Sequence, residues 1–295
     1  MTSLPQRATH HPDSSYKTMP IQTPSSTPMR DDAWRVGDVT LTSRFLLGTA
    51  RYPSPQVLGQ AIAASGSQVL TVGIKRMMTP DDSEFVPTVR KALIDTGARL
   101  LPNTAGCYSA REAVELAQMA RELYGTPWIK LEVLGDPQTL QPDSFETQIA
   151  AEQLVRDGFV VFPYCTDDLI SCRRLLDAGC PLLMPWGAPI GSGQGLVNPF
   201  ALRILRERLP DATLIVDAGL GTPSHAVRAM EMGFDAVLVN SAVAGARDPV
   251  TMARAFQWAV QAGRSGWRAG AIKPRDYAQA STPASADPLR LNPKP

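Results

Sequence analysis

The sequence predicts a single (β/α)8 barrel (TIM barrel) domain, and three observations support this fold class. The chain has 295 residues and an apolar fraction of 44%, and barrels of this kind use about 250 residues as one domain. Short apolar runs alternate with amphipathic stretches, which is the pattern of parallel βαβ units. Glycines separate those stretches from the next run, as helix ends require. An open, doubly wound sheet is the alternative, although no G-x-G-x-x-G motif follows the first predicted strand.

Each strand is predicted from a short apolar run bounded by turn-forming residues. In chain order the predicted strands are Phe45–Gly48, Val69–Val72, Leu100–Pro102, Ile129–Val133, Val160–Pro163, Pro181–Met184, Leu214–Asp217 and Ala236–Asn240. The clearest helical patterns are Ser109–Tyr124, Ser144–Asp157, Asp168–Ala178 and Pro223–Met232. The sequences DTGA, RDGF, DAGC and EMGF place a glycine between a predicted helix and the next strand, as C-terminal caps do.

The two ends of the chain differ from the predicted barrel domain, which covers residues 35–277. Residues 1–34 are rich in Pro, Ser and Thr and poor in large apolar groups. Burial therefore cannot offset the entropy of ordering them, and we predict a disordered N-terminal extension. Residues 278–295 have a similar composition and predict a flexible C-terminal tail. The opening residues lack the apolar core of a secretory signal.

Composition argues against several classes of function. A net charge of +1 speaks against nucleic acid or an anionic membrane as a partner, and no run approaches the roughly 20 apolar residues that span a bilayer. The four cysteines form no C-x-x-C pair, so we expect reduced thiols and a cytoplasmic location. His10 and His11 fall in the predicted extension. Only His225 remains for the barrel, and we therefore expect no metal site.

The segment WIKLEV, Trp128–Val133, carries charge where a barrel strand is usually apolar. Because strand side chains alternate, its aliphatic residues face the outer helices while Lys130 and Glu132 point into the barrel. Burial disfavours the charged form of a lysine and so favours its uncharged amine. An uncharged amine can attack a ketone to form an imine. The same spacing also allows a buried Lys130–Glu132 ion pair that has no catalytic role.

Three glycine-rich loops follow the last three predicted strands, at residues 187–195 (GAPIGSGQG), 217–225 (DAGLGTPSH) and 240–245 (NSAVAG). Glycine lets backbone N–H groups approach an anion, and helix N-termini add the positive end of their dipole. Barrels often bind phosphate in the loops after strands seven and eight. The three loops together predict a phosphorylated small-molecule substrate, although any one of them alone could be a bare turn.

Further polar residues follow predicted strand ends, where the catalytic groups of barrels gather. Asp217 is a candidate general acid or base, or else a cap on the next loop. Asn103 is either a substrate contact or a turn residue, and Arg76 is either an anion contact or part of a rim salt bridge. We predict that His225 lies at the surface or caps its helix. Thiol catalysis by the cysteines near strand ends would need a partner base, which no second histidine of the barrel supplies.

Seven segments of the predicted barrel carry a family resemblance. They are SGSQVLTVGIKR, LLPNTAGC, WIKLEVLGDPQTLQPD, GFVVFPYCTDD, GAPIGSGQG, VDAGLGTPSHA and DAVLVNSAVAGARDPVTMA. In this order and spacing, over roughly residues 36–277, the chain resembles thiazole synthase, the enzyme of thiamin biosynthesis that assembles the thiazole ring. Both ends of the chain lie outside the resemblance, and the N-terminal one lacks the Gly-Gly end of a fused sulfur-carrier protein.

The resemblance implies a specific reaction. The family is a (β/α)8 barrel that condenses 1-deoxy-D-xylulose 5-phosphate, 2-iminoacetate (dehydroglycine) and sulfur into a thiazole phosphate carboxylate. The sulfur comes from a carrier protein with a C-terminal thiocarboxylate, and another enzyme produces the dehydroglycine. The resemblance also implies a homotetramer, and it implies neither a cofactor nor a metal.

The family's functional residues map onto eight positions. Its Schiff-base lysine falls on Lys130, and the carboxylates that are thought to move protons fall on Glu132 and Asp217. The family's sugar-phosphate contacts fall on Gly191, Ala218, Gly219, Asn240 and Ser241. Ser241 stands where the family often has threonine, and it keeps the hydroxyl group and the backbone N–H.

Two other functions are compatible with the same residues. A class I aldolase-like lyase would use the same lysine and phosphate loops, but it would cleave a sugar phosphate without a sulfur donor. A non-catalytic scaffold would bind a sugar phosphate or a carrier protein, and a Lys130→Ala substitution would then leave its function intact.

Overall fold

The computed structural model describes residues 32–77 and 84–282. Most of the predicted N-terminal extension, residues 1–31, lies outside this part of the chain, and so do residues 283–295 of the predicted C-terminal tail. The first strand begins at Trp34, at the predicted border between extension and barrel. Residues 270–282 form no helix or strand and are exposed.

Eight parallel strands close into a barrel in the order in which they occur along the chain. They are β3 (Phe45–Gly48), β4 (Val69–Gly73), β5 (Arg99–Asn103), β6 (Trp128–Leu131), β7 (Val160–Cys165), β8 (Leu182–Pro185), β9 (Thr213–Asp217) and β10 (Ala236–Val239). β10 pairs with β3, with Val237 opposite Phe45, and this pairing closes the sheet. The predicted (β/α)8 barrel is therefore confirmed, rather than the open sheet, and the strand boundaries differ from the prediction by at most two residues.

Helices connect the strands and pack around the outside of the barrel. They are α1 (Pro55–Ser65), α2 (Ile74–Met77), α3 (Phe85–Thr96), α4 (Ala110–Tyr124), α5 (Ser144–Arg156), α6 (Leu169–Asp177), α7 (Pro199–Arg208), α8 (Pro223–Glu231), α9 (Ser241–Ala244) and α10 (Pro249–Ala269). Ser109, Asp143 and Asp168 cap α4, α5 and α6 by accepting backbone N–H bonds. Gly97 and Gly158 have positive φ just past helix ends, as DTGA and RDGF predict. No helix of the described residues is long and apolar enough to cross a membrane.

A short antiparallel hairpin, β1 (Trp34–Val36) and β2 (Val39–Leu41), precedes the barrel. Its alternate side chains are buried, and they pack against apolar residues that the barrel strands point inward. Those inward residues are Leu46, Val69, Leu101, Trp128, Phe162, Leu182, Met184, Ile215, Ala236 and Leu238. Many of them stand at the starts of their strands, so the hairpin covers the amino-terminal end of the barrel. The hairpin is not among the predicted elements, because each of its strands has only three residues.

The barrel interior changes character along each strand. Trp128 and Phe162 belong to the inner apolar cluster, whereas Lys130 and Tyr164, one alternation further along the same strands, bring polar groups inside. Ile129 belongs to the outer cluster beneath the helices, as predicted, and so do its aliphatic neighbours on the same face. The fold therefore places a polar interior at the carboxyl ends of the strands.

Candidate active site

One cavity of about 830 Å³ opens at the carboxyl ends of the barrel strands. All eight positions onto which the family's functional residues map line it, namely Lys130, Glu132, Asp217, Gly191, Ala218, Gly219, Asn240 and Ser241. Asn103 and Arg76 line the same cavity. The fold therefore brings residues that are far apart in the sequence to one site, at the end of the barrel where enzymes of this fold act.

Lys130 and Asp217 form a buried ion pair across the barrel. The Lys130 Nζ lies 2.5 Å from the Asp217 Oδ2, and the side chains are only 6% and 3% exposed. The sequence had suggested Glu132 as the alternative partner of Lys130, and this suggestion is wrong. Strand alternation predicts only that Glu132, two positions further along, shares the inward face with Lys130. Closure of the barrel brings a different carboxylate, Asp217 at the end of β9, into contact with the lysine.

Glu132 is a second buried carboxylate beside this pair. Burial raises its pKa, while the nearby Lys130 ammonium and a hydrogen bond from the Asn103 Nδ2 at 3.1 Å act in the opposite direction. The charge of Asp217 raises the pKa of Glu132 further. One lysine thus faces two carboxylates in a closed space. Glu132 therefore holds a proton at a higher pH than an ordinary glutamate does, which suits a group that moves protons.

Thr104 fixes the backbone that carries these groups. Strand β6 ends at Leu131, two residues before the predicted end, so that Glu132 lies just beyond it. The Thr104 hydroxyl donates to the Glu132 carbonyl oxygen and accepts from the Glu132 N–H, at 2.9 and 2.8 Å. The Thr104 N–H donates to the Lys130 carbonyl oxygen. These bonds replace the strand ladder and hold Glu132 at the cavity wall. No sequence pattern indicated this role.

Tyr164 packs beside the lysine. Its ring centroid lies 5.7 Å from the Lys130 Nζ, and its hydroxyl donates to the Leu140 carbonyl oxygen at 3.4 Å. Burial raises the pKa of Tyr164, which keeps the phenol neutral. Sequence analysis missed this residue, although it lies two positions after the inward-facing Phe162 and strand alternation could have found it.

The loop after β9 approaches the loop after β8 closely. A Cβ on Gly219 would lie 2.4 Å from the Ala188 backbone nitrogen, so only glycine fits there. Ala218 itself has φ of 68°, a left-handed conformation that residues with a Cβ rarely adopt. Its carbonyl oxygen and that of Asp217 both accept from the Gly187 N–H. Backbone groups of the two loops therefore form one wall of the cavity.

Asn240 and Ser241 complete that wall from β10. The Asn240 Oδ1 accepts from the Ala50 N–H at 3.2 Å, which links β10 to the loop after β3. A Cβ on Gly191 would lie 3.6 Å from the Ser241 Oγ, so the loop after β8 reaches the start of α9. The five predicted phosphate contacts thus lie on three loops that meet around one side of the cavity.

His225 supports these loops from behind. Its Nδ1 accepts from the Gly221 N–H at 3.1 Å, and Gly221 precedes the N-cap residue Thr222. The half-buried His225 therefore holds the loop before α8 and does not provide the predicted cap on a backbone N–H of the helix. Its ring occupies the space that a Cβ on Gly195 would need, with Nε2 only 2.7 Å from that position. His225 does not line the cavity and therefore holds loop geometry rather than substrate.

The four cysteines are free and buried. Burial raises the pKa of Cys107 to about 11, and the pKa of Cys165 is raised by its contact with Cys172 and by burial. Such thiols carry little thiolate near neutral pH, which argues against thiol catalysis at these two positions. Among the described residues, no three His, Cys, Asp or Glu side chains cluster closely enough to hold a metal ion.

Fold and site together define a (β/α)8 barrel of the enzyme type, with a buried lysine and two buried carboxylates in the cavity at the carboxyl ends of its strands. Comparison with known proteins then gives the family. Residues 35–283 match the family model of the thiazole biosynthesis protein ThiG, and the chain therefore belongs to the thiazole synthase family, the sulfur-transferring enzymes of thiamin biosynthesis.

Individual relatives agree with this assignment. The chain is 58% identical to a thiazole synthase of Ralstonia pickettii, over 88% of this chain and 94% of the relative. It is 56% identical to a thiazole synthase of Coxiella burnetii, over 88% of this chain and 98% of the relative. Among solved structures, a BexX/CysO complex of Amycolatopsis orientalis matches with a TM-score of 0.73 and 29% identity, over 83% of this chain and 98% of that one.

Proposed function

We propose that this enzyme forms a thiazole phosphate carboxylate from 1-deoxy-D-xylulose 5-phosphate, 2-iminoacetate and sulfur, through a Schiff base on Lys130. The observation that carries the proposal is the buried Lys130–Asp217 pair, which lies in the same cavity as three backbone-lined loops. A buried amine gives the nucleophile, and the loops give a place for the phosphate.

The lysine acts first. The Asp217 carboxylate, 2.5 Å from the Lys130 Nζ, accepts the proton of the ammonium. The free amine attacks the C2 ketone of the sugar, and loss of water leaves an imine. Glu132, whose pKa burial raises, then moves protons between C2 and C3 so that the carbonyl character passes to C3.

Sulfur enters at C3. The thiocarboxylate sulfur of the carrier protein attacks the carbon of the C3 carbonyl, and the carrier's acyl group then passes from sulfur to the C3 oxygen. The carrier leaves as its C-terminal carboxylate and takes that oxygen with it, so the sulfur remains on C3 as a thioketone. 2-Iminoacetate then supplies nitrogen and carbon, and ring closure releases Lys130. Loops that hold the phosphate keep the sugar oriented through these steps, which lowers the entropic barrier.

The partners follow from this chemistry. The carrier must deliver its C-terminus into the mouth of the barrel, and the similar barrel that was solved in complex with a second protein supports a protein partner. A separate enzyme supplies 2-iminoacetate. We propose a homotetramer without cofactor or metal, in a reducing cytoplasm where the four cysteines stay free.

A reconstituted reaction tests the proposal. Purified enzyme is given the sugar phosphate, 2-iminoacetate and thiocarboxylated carrier, with each one omitted in turn, and the thiazole product is measured by mass spectrometry. We expect product only in the complete mixture. Cleavage of the sugar phosphate without a sulfur donor would indicate a lyase instead, and binding without any turnover would indicate a scaffold.

A further inference from the structure

The proposed phosphate side of the cavity consists almost wholly of neutral groups. The lining residues from the loops after β8, β9 and β10 include the five predicted phosphate contacts, and their only charged side chain is that of Asp217, a carboxylate. A phosphate monoester carries between one and two negative charges at neutral pH, whereas backbone amides offer only partial positive charge. A cation from a neighbouring part of the wall would balance the anion.

Arg51 lies on the loop that is joined to this side. Gly48, at the end of β3, approaches Asn240 so closely that a Cβ on it would lie 2.4 Å from the Asn240 Cβ. Two residues later, the Ala50 N–H donates to the Asn240 Oδ1 at 3.2 Å. Arg51 is the next residue, and it is exposed and lines the cavity. The backbone that carries Arg51 is thus held next to a predicted phosphate contact.

The backbone and side chain of Arg51 both indicate a ligand-binding role. Its φ of 65° is left-handed, a conformation in which glycine is the usual residue. Among residues 32–77 and 84–282 its guanidinium has no hydrogen bond or ion pair. Two other cations of the cavity wall are paired, Lys75 with Glu112 and Lys130 with Asp217. No structural contact therefore accounts for an arginine at this strained position.

We propose that Arg51 binds the phosphate group of the sugar substrate and supplies the positive charge that the three loops lack. The planar guanidinium offers paired N–H donors that match phosphate oxygens, which lysine does not. This inference rests on the proposed function for the identity of the sugar, but the anion site itself does not depend on the Schiff base.

Three variants isolate the side chain. Arg51→Gly removes the guanidinium and leaves a residue that adopts positive φ without steric cost, so the loop keeps its shape. Arg51→Lys keeps the charge and removes the paired donors. Arg35→Gln removes one exposed positive charge from the hairpin at the opposite end of the barrel and serves as the control.

Trapping of the imine with borohydride gives the first readout. The fraction of protein trapped is measured against the concentration of 1-deoxy-D-xylulose 5-phosphate, and again with 1-deoxy-D-xylulose, which lacks the phosphate. For Arg51→Gly we expect the half-saturating concentration of the phosphorylated sugar to rise about ten- to hundredfold, with no change for the other sugar. Arg51→Lys should fall in between, and the control should match wild type. An equal change for both sugars, or none for either, would overturn the inference.

Inorganic phosphate gives a second readout that needs no imine. A ligand that binds the folded state raises the melting temperature, so phosphate should stabilise wild type and Arg35→Gln but stabilise Arg51→Gly much less. An equal shift in Arg51→Gly and wild type, or no shift in wild type, would contradict the proposal. If phosphate stabilises the protein only when Arg51 is present, but neither sugar is trapped by borohydride, the anion site is supported and the Schiff-base function is rejected.

Discussion

The two ends of the barrel interior are built from the same strands and differ in everything else. At the amino-terminal end, inward residues such as Trp128 and Phe162 are apolar, and the β1–β2 hairpin covers them. One alternation further along, Lys130 and Tyr164 face the cavity end. Because alternate residues on a strand are less than about 7 Å apart, one repeat of the pleat separates the packed core from the reactive groups.

This contrast separates stability from chemistry. The covered end excludes water and fills the barrel with apolar side chains, which stabilises the fold. The open end contains features that are unfavourable for folding, namely a buried ion pair and left-handed backbone at Ala218 and Arg51. Substitutions at inward positions of one strand should therefore fail in different ways, by loss of stability at the covered end and by loss of activity at the open end.

The largest effect is expected for Lys130→Arg. Arginine keeps a cation beside Asp217, so the buried charges stay balanced and the fold persists. A guanidinium cannot form an imine with a ketone, and thiazole formation should fall at least about a thousandfold. Lys91→Arg, on the exposed face of α3, is the matched control and should keep full turnover. More than a tenth of wild-type activity in Lys130→Arg would show that the imine is not essential.

A second prediction concerns Trp128→Ala, one alternation below the lysine. Trp128 is buried, with its ring 5.0 Å from that of Phe162, and its loss leaves a cavity at the covered end. We expect a loss of about 3–5 kcal/mol in the free energy of unfolding, measured by urea denaturation. Turnover per folded molecule should stay within a few-fold of wild type. If folded Trp128→Ala protein is as inactive as Lys130→Arg, the two ends of the barrel do not separate stability from chemistry.

The smallest effect is expected for Asn103→Leu, and it is a shift in pH dependence. The hydrogen bond from the Asn103 Nδ2 favours the ionised form of Glu132, so its loss should raise the pKa of Glu132 further. Glu132 then ionises only at higher pH, so the acidic limb of the plot of turnover against pH should move to higher pH. Glu132→Gln should remove this limb altogether. A limb that stays in place, or moves to lower pH, would mean that Glu132 does not set it.

The fold could be predicted almost completely from the sequence because its signals are local. Strands such as β3 are apolar runs bounded by turn residues, and they lie where the pattern predicts them. The hairpin β1–β2 escaped prediction because three-residue strands carry too little periodicity. The exit of Glu132 from β6 also escaped, since it depends on hydrogen bonds from Thr104 on a neighbouring segment.

The sequence predicts which residues line the cavity, but not which of their side chains contact each other. Residues that end parallel strands meet at one end of a barrel whatever their separation in sequence, so Lys130 and Asp217 were expected to share a cavity. Which carboxylate contacts the lysine depends on strand tilt and barrel closure, which no local pattern encodes. The role proposed for Arg51 could not be predicted for a related reason, because the bond from the neighbouring Ala50 N–H to Asn240 forms only where β10 lies beside β3.

The identity of the residue that captures the sugar decides whether Lys130 forms the imine. Wild-type enzyme is incubated with 1-deoxy-D-xylulose 5-phosphate, reduced with borohydride, digested and mapped by mass spectrometry. We expect one reduced adduct, on the peptide that contains Lys130, and no adduct in Lys130→Arg. An adduct on another lysine of the cavity wall such as Lys75, or no adduct at all, would contradict it.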